Sequence, residues 1–359
     1  MDNNFSNENV SPVNDTQDMR RNWLDGIKRR FSQIGFAYFI FFIVYYGIQM
    51  LTSSMAGILV QYGLIPKENP EFMNVIVYGM TFIPTYLVSF PVLNFMLRNT
   101  TPTRPAPAHM TGGGIISTVL IVFFLMFAGN FIGRILMSVI SATAGTEIVN
   151  SVDEMVNGNS MLAVFIFAVV LAPIFEETCF RRILLDRTAA YGERNAMILS
   201  GLAFGLFHAN LYQFFYAFFI GLVFAYVYIR TGKIRYSIGL HMTVNFFGSI
   251  VPMLLMKDLD ISALESGKVE DIMKLMYDPA FQRYMVYACF LVAVIIAGVI
   301  TFIVIMSNHS ISLDAKGAPM TKEEAKNVTY KNKGMRAFII LCIVVTILLI
   351  VAQTLPAAA

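Results

Sequence analysis

Long apolar stretches alternate with short polar segments along the whole chain. Runs of Leu, Ile, Phe, Val and Met that are long enough to cross a bilayer recur nine times in the 359 residues. Bilayer hydrocarbon offers no water to backbone N–H and C=O groups, so apolar runs of this length indicate helices and not strands. The predicted spans are 33–56, 73–97, 114–138, 161–180, 196–211, 213–229, 236–256, 284–306 and 336–354. The pattern predicts an all-α, polytopic transmembrane helix bundle of about eight to nine spans, and whether the short hairpin 196–229 crosses fully stays open.

The same pattern divides the chain into five segments. They are a polar cytoplasmic tail at 1–30, three transmembrane helices in 31–160, core helices that carry the motifs described below in 161–256, an extracytoplasmic loop with a short helix at 257–282, and two C-terminal transmembrane helices with a cytoplasmic linker in 283–359. The tail lacks the apolar region of a cleavable signal peptide, so we expect the first span to act as its own insertion signal.

Composition and charge narrow the class of partners. Hydrophobic residues make up 57% of the chain and charged residues only 14%, which is typical of a membrane protein. The net charge of +3 is too small and too dispersed for a nucleic-acid surface, so the predicted partner is the lipid bilayer and no nucleic acid is expected. The three cysteines lie far apart in apolar stretches, which excludes a disulfide framework.

The distribution of Lys and Arg predicts the orientation. Twenty of the 26 cations fall in loops on the same side as the N-terminus. The other six are Lys67, Arg134, Lys257, Lys268, Lys274 and Arg283. Because retained positive charge marks the cytoplasmic side, we expect a multi-pass cell-membrane protein with a cytoplasmic N-terminus and an extracytoplasmic C-terminus.

Few ionisable residues occur inside the apolar spans. Of 23 carboxylates only Glu176 and Glu177 lie within or at the edge of a span, and two of the four histidines, His208 and His241, lie inside one. An ionisable side chain at the centre of a membrane helix costs roughly 2.5 to 3.5 kcal/mol on insertion scales. These four residues are therefore candidates for function.

Helical spacing suggests a role for each. Glu177 and Arg181 are four residues apart in the favourable order for an ion pair, which leaves Glu176 as the freer carboxylate. The same spacing joins Phe204 to His208 and His241 to Asn245. If they share a cavity, Glu176 and His208 can activate water, while His241 and Asn245 can donate hydrogen bonds to an oxyanion. This set favours amide hydrolysis without a nucleophilic side chain.

These three motifs, in this order, resemble the signature of the CPBP intramembrane proteases, which include type II CAAX prenyl endopeptidases and bacteriocin-processing and immunity (Abi) proteins. The resemblance covers about 165–250. It implies that Glu176 and His208 activate water, that His241 and Asn245 form the oxyanion site, and that Glu177, Arg181 and Phe204 support them. It also implies a peptide or membrane-protein substrate, with or without a lipid anchor.

Cofactor and function class stay open at this stage. Glu176, His208 and His241 could together hold zinc, but the chain has no HExxH helix, and we favour a metal-free, glutamate-dependent reaction. A proton-coupled transporter could use the same buried groups as a proton relay. A non-catalytic bacteriocin-immunity protein would bind its partner through the 257–280 loop.

Depth in the membrane poses a difficulty. With Arg181 and Arg235 taken as the cytoplasmic edge, Glu176 and His241 lie about 8 to 9 Å inside it, while His208 lies roughly 21 Å beyond Arg194. We expect a cavity in the inner half of the membrane, open to the cytoplasm, if the 196–229 hairpin is tilted. Arg134 is expected to extend outward to solvent.

Overall fold

The computed structural model describes residues 12–150, 160–257, 259, 268–308, 313 and 320–354. Parts of the predicted N-terminal tail, extracytoplasmic loop and cytoplasmic linker lie outside these residues, as do the last five residues. The described residues form helices and no strand, and the predicted all-α polytopic bundle is confirmed.

Eleven helices make up the described part of the chain. They are α1 (Pro12–Gln61), α2 (Pro70–Met96), α3 (Gly112–Ala144), α4 (Met161–Tyr191), α5 (Glu193–Phe207), α6 (Leu211–Thr231), α7 (Ile234–Met256), α8 (Val269–Met276), α9 (Pro279–Ser307), α10 (Lys322–Tyr330) and α11 (Lys333–Thr354). The short helix predicted in the 257–282 loop is α8.

Eight of these helices are long and apolar enough to cross a membrane, and α5 is not among them. It has 15 residues, or about 22 Å, against a hydrocarbon thickness of about 30 Å. The apolar stretch predicted at 196–211 therefore exists as a helix but is too short to count as a full span.

The short helix α5 packs along α6 through glycines. A Cβ on Gly205 would lie 2.9 Å from the backbone oxygen of Phe214, and a Cβ on Gly221 would lie 3.1 Å from Cα of Gly201. Close approach of this kind is how membrane helices associate, since apolar side chains gain little by leaving lipid. The two helices form a tight antiparallel hairpin.

The tip of this hairpin reaches the loop that follows α3. The Tyr212 hydroxyl donates to the backbone oxygen of Ile148 at 2.8 Å, and Val149 N donates to Gln353 Oε1 at 2.9 Å. The C-terminal ends of α1, α3, α7 and α11 lie at this end of the bundle, which we call the far end. The hairpin thus carries the chain from the near part of the bundle toward the far end and back, and its tip stops short of the far ends of α3 and α4.

The opposite end, which we call the near end, contains the start of α1 and the C-terminal ends of α2, α4, α6 and α9. Arg20 binds Glu324 at 2.9 Å, and Ala108 N donates to the backbone oxygen of Thr231 at 2.8 Å. The near-end Glu324 lies outside the spans, and the hydrogen bond from Arg20 lowers its pKa to about 2. Helix α1 begins at the near end and α11 ends at the far end, so the two described chain ends lie on opposite sides.

Apolar side chains cover the outside of the bundle. On α9, Val286, Phe290 and Ile296 are each more than half exposed. A soluble monomer rarely exposes an apolar surface of this extent, and lipid is the medium that fits it. The chain is a multi-pass membrane protein.

Candidate active site

A cavity of about 1050 Å³ lies inside the bundle and brings together most of the residues predicted for the site. Its wall includes Glu176, Phe204, His208, His241 and Asn245. Glu177 and Arg181 do not line it but lie behind the wall, where both side chains are fully buried. Of the two adjacent acids, only Glu176 is open to the cavity, with 19% of its side chain exposed.

The connection between α4 and α5 accounts for the meeting of Glu176 and His208. Glu176 lies fifteen residues before Tyr191, and His208 lies fifteen residues after Glu193. Because α4 and α5 run in opposite directions from the turn at Gly192, equal distances along them bring the two side chains to the same level, roughly 22 Å from that turn.

The depth expected for Glu176 is therefore wrong. Arg181 is completely buried rather than located at the membrane edge, and α4 continues to Tyr191. Glu176 lies in the middle of this 31-residue helix, and not close to its C-terminal end as expected.

Glu177 contacts two groups at once. Its Oε2 lies 3.0 Å from Nε of Arg181, and its Oε1 lies 3.1 Å from Nδ1 of His241. The ion pair with Arg181 is the one that the spacing predicts. The contact with His241 comes from another helix, and no spacing along the sequence predicts it.

The contacts of His241 orient its ring between the two acids. Nδ1 faces Glu177 and Nε2 lies 3.7 Å from Oε2 of Glu176. An ionised Glu177 can only accept a hydrogen bond, so His241 carries a proton on Nδ1. In the neutral imidazole Nε2 is then an acceptor, and it becomes a donor only when His241 is an imidazolium.

His208 is held in one tautomer by the backbone. Its Nδ1 lies 2.7 Å from the backbone oxygen of Phe204, and a carbonyl can only accept, so Nδ1 carries the proton. Nε2 is then left with a free lone pair. The next residue, Ala209, has a φ of 47°, a left-handed conformation that non-glycine residues adopt rarely and that reverses the chain directly after the imidazole.

Asn245 fills a gap in the hydrogen bonding of α4. The first part of α4 is wound in the wider π register, in which Ala172 N donates to the oxygen of Phe167. The amide that would reach Ala168 O belongs to residue 173, which is a proline and has no N–H. Asn245 Nδ2 donates to that oxygen at 2.8 Å, which leaves its second N–H for another acceptor.

The ring of Phe204 packs against both imidazoles and against the guanidinium of Arg181. Its centroid lies 4.9 Å from that of His208 and 5.6 Å from that of His241, both edge to face. The guanidinium of Arg181 lies 4.8 Å from the same centroid, within cation–π distance. The predicted supporting role of Phe204 therefore has a packing basis.

Two residues near the site were not found from the sequence. Ser200 accepts a hydrogen bond from Arg181 at 3.0 Å and donates to the oxygen of Phe180, and the Tyr46 hydroxyl donates to the oxygen of Phe207 at 2.7 Å. A serine in a glycine-rich helix and a tyrosine in an aromatic run look like ordinary packing residues, so only the fold identifies them.

The far wall of the cavity is polar and includes Arg134. The guanidinium Nε of Arg134 donates to Oδ1 of Asn130 at 2.8 Å, and both residues line the cavity together with Gln213. The expectation that Arg134 simply extends to solvent is therefore incomplete. Among the residues that line the cavity, Arg134 is the one Arg or Lys and Glu176 the one carboxylate.

The three candidate zinc ligands all line the cavity, but their side chains are not gathered around one point. Within the ranges that the structure describes, no three His, Cys, Asp or Glu side chains gather closely enough to hold a metal ion. Nδ1 of His208 and Nδ1 of His241 are each bonded to another partner, so only Nε2 of either ring could ligate a metal. Of the candidate ligands, Glu176 Oε2 and His241 Nε2 lie 3.7 Å apart.

Comparisons with known proteins support the resemblance that the motifs suggest. Residues 158–247 match the family model described as Type II CAAX prenyl endopeptidase Rce1-like, and the match includes all seven candidate residues. The chain is 24% identical over 220 residues to a Bacillus subtilis (strain 168) protein named "Putative membrane peptidase YdiL", which covers 59% of this chain and 88% of that protein. No solved structure matches the chain significantly.

The helical membrane bundle and the match over this segment make the chain similar to CAAX-protease-like membrane peptidases. The two matches support the CPBP family, and the resemblance predicted from the sequence is confirmed.

Proposed function

We propose that this protein is an intramembrane endopeptidase that hydrolyses a peptide bond with water activated by Glu176 and His208. The observation that carries the proposal is that four polar residues converge on one cavity. Glu176 comes from α4, His208 from the turn after α5, and His241 and Asn245 from α7. A volume of about 1050 Å³ is ample for several residues of a peptide.

Glu176 and His208 are suited to move the proton of a water molecule. The Glu176 carboxylate is partly open to the cavity, and the Nε2 lone pair of His208 is free because Nδ1 is bonded to the backbone. Water gives a proton to this pair while its oxygen forms a bond to the carbonyl carbon of the substrate. When the C–N bond breaks, the same proton goes to the leaving amine.

His241 and Asn245 are suited to bind the oxyanion of the tetrahedral intermediate. Asn245 has an N–H left over from its bond to Ala168, and His241 can donate from Nε2 when it is an imidazolium. The carboxylate of Glu177 accepts from Nδ1 on the other side of the ring. Glu177 is thus a positioning residue that acts through His241, and Arg181 balances its charge.

The reaction as proposed needs no metal ion, because Glu176 and His208 activate the water and His241 and Asn245 bind the oxyanion. Bound zinc would instead require Glu176, His208 and His241 to turn toward a common point. Metal analysis of the purified protein, with activity measured in the presence of a chelator, distinguishes the two. We expect activity without stoichiometric metal.

The test is peptide cleavage by the purified protein in liposomes. The substrates are a library of membrane-associated peptides and a farnesylated CAAX peptide. We expect Glu176→Gln and His208→Gln each to lower kcat/KM by about 10²- to 10⁴-fold, the usual contribution of a general base. Matched controls are Glu147→Gln and His109→Gln, which change the same residue types at exposed loop positions outside the cavity.

Equal cleavage by the wild type and both site variants would remove the endopeptidase proposal. Proton-linked flux in the same liposomes, lost on Glu176→Gln, would favour the transporter instead. A phenotype that survives every site variant would favour a binding protein.

A further inference from the structure

We propose that the substrate of this site is a peptide segment that reaches it from the extracytoplasmic side of the membrane. The inference rests on the proposed endopeptidase function and adds to it the direction of access and hence the class of substrate. It is carried by the position of the cavity along the bundle, the packing beneath the site, and the distribution of charge.

The cavity extends from the middle of the bundle toward the far end. The lining positions are 45–49 on α1, 77–86 on α2, 123–134 on α3 and 284–291 on α9. Helices α1 and α3 run toward the far end, and α2 and α9 run away from it. In all four, the residues that line the cavity belong to the central or far-end part of the helix. The expected cavity in the half of the bundle next to the N-terminus is therefore wrong.

Tight packing closes the site on the near-end side. The residues of α4 that follow the acidic pair toward the near end are almost all buried, with Cys179 and Arg181 at 0% exposure and Phe180 at 1%. The Tyr38 hydroxyl donates to the oxygen of Cys179 at 2.6 Å, which ties α1 to α4 at this level. A layer of this density leaves no passage for a peptide between the near end and Glu176.

The far-end wall has the polarity that a peptide backbone requires. Asn130, Arg134 and Gln213 line it, and Arg134 is an exposed residue. Amide and guanidinium groups can replace the water that a peptide loses when it enters the cavity. The aromatic wall closer to Glu176 provides apolar contact for side chains.

Charge assigns the two ends to the two sides of the membrane. Apart from the buried Arg181, nineteen Lys and Arg belong to the near-end parts of the helices and to the chain segments that join them there, against six at the far end. By the positive-inside rule the near end faces the cytoplasm, so the cavity faces the extracytoplasmic space. The chemistry that fits is an exported peptide or the extracytoplasmic flank of a membrane protein, and not a prenylated tail presented from the cytoplasm.

Cysteine accessibility tests the direction without any need for a substrate. Cys289 is exposed on α9 and is replaced by Ser, while Cys179 and Cys342 are buried and remain. Single cysteines are then introduced as Gln213→Cys and, as a second cavity position, Asn130→Cys. Surface references are Lys67→Cys at the far end and Asn99→Cys at the near end. Each is treated with a membrane-impermeant, charged thiol reagent in intact cells and in inside-out vesicles.

We expect both cavity cysteines and Lys67→Cys to react in intact cells, and Asn99→Cys to react only in inside-out vesicles. Reaction of the cavity cysteines from the Asn99 side, or from neither side, would overturn the inferred access. Reaction of Lys67→Cys only in vesicles would overturn the assignment to the extracytoplasmic side.

The same labelling on a Glu176→Gln background separates this inference from the proposed function. We expect that substitution to abolish cleavage and to leave the labelling pattern unchanged. Correct labelling with a peptidase-inactive wild type would remove the proposed function alone, whereas cleavage with labelling from the near side would remove only the direction of access.

Discussion

Two adjacent acids with different surroundings define the chemistry of the candidate site. Glu176 has access to the cavity, and Glu177 has none. A carboxylate completely out of water is costly unless it is paired, and Glu177 is paired with Arg181 on one side and with His241 on the other. In the proposed reaction the buried acid orients His241, and the accessible acid acts on the water molecule.

The Glu177–Arg181 pair leads to a prediction on stability. Arg181→Leu removes one partner of a completely buried pair, and such changes typically cost about 3 to 5 kcal/mol because the remaining charge is uncompensated. We expect Glu177→Gln combined with Arg181→Leu to be more stable than Arg181→Leu alone. Reversible unfolding in mixed detergent measures both. A double variant less stable than the single one would contradict the ion-pair interpretation.

Asn245 permits a prediction that separates catalysis from packing. We expect Asn245→Ala to lower kcat by about 10²- to 10³-fold, the usual effect of removing an oxyanion donor. Loss of its bond to Ala168 should cost only about 0.6 kcal/mol of unfolding free energy, the average for interhelical hydrogen bonds in membranes. The matched control is Asn94→Ala, which removes an asparagine bond to the backbone oxygen of Phe90 outside the cavity. Similar losses of activity in both variants would argue against the oxyanion role.

At the scale of the element, helix α4 departs from regular winding where the site requires it. Its π-wound start and Pro173 free the oxygen of Ala168, and α7 supplies Asn245 to bind it. This contact links the third motif to the first helix of the core. The turn after α5, with its left-handed Ala209, places His208 at the same level.

Close packing of α1 and α11 gives a prediction at this scale. A Cβ on Gly334 would overlap the backbone oxygen of Ser32, so the two helices can approach only without a side chain there. We expect Gly334→Ala to destabilise the bundle by about 1 to 3 kcal/mol through overpacking, despite the better helix propensity of Ala. Gly47→Ala on α1 is the control, because a Cβ there meets nothing within 4 Å. Equal thermal stability of the two variants would contradict the contact.

At the scale of the whole molecule, the short helix α5 decides the topology. Eight of the described helices are long enough to span the membrane, and α5, although too short to be counted, also carries the chain away from the near end, so that α6 can return to it. The contact between Val149 and Gln353 accordingly brings the end of α11 to the far end. Eight spans alone would suggest that both chain ends lie on the same side of the membrane. Because α5 adds one more passage, the two described ends lie on opposite sides.

Reporter fusions test this arrangement. We expect alkaline phosphatase to be active when fused after residue 359 and inactive when fused after residue 232, because the reporter folds only outside the cytoplasm. A green fluorescent protein at the same two positions should give the opposite pattern. Activity of alkaline phosphatase at both positions, or at neither, would contradict the predicted orientation.

Much of the site could be predicted because charge inside lipid is costly. Glu176, Glu177, His208 and His241 are conspicuous in apolar runs, and the spacing of Glu177 and Arg181 predicts an ion pair that the structure contains. The contact of Glu177 with His241 could not be predicted, since the two residues are 64 positions apart and meet only when α4 and α7 pack together.

The sequence by itself determined the all-α membrane fold, the helices and the short list of residues with the chemistry for hydrolysis, because hydrophobicity and the cost of buried charge act locally on each segment. Only the tertiary structure decided which acid faces the cavity, which tautomers the two histidines adopt and toward which end the cavity extends. Those properties depend on the relative height and rotation of helices, and these are determined by glycine contacts, a missing proline amide and a short hairpin far apart in the chain.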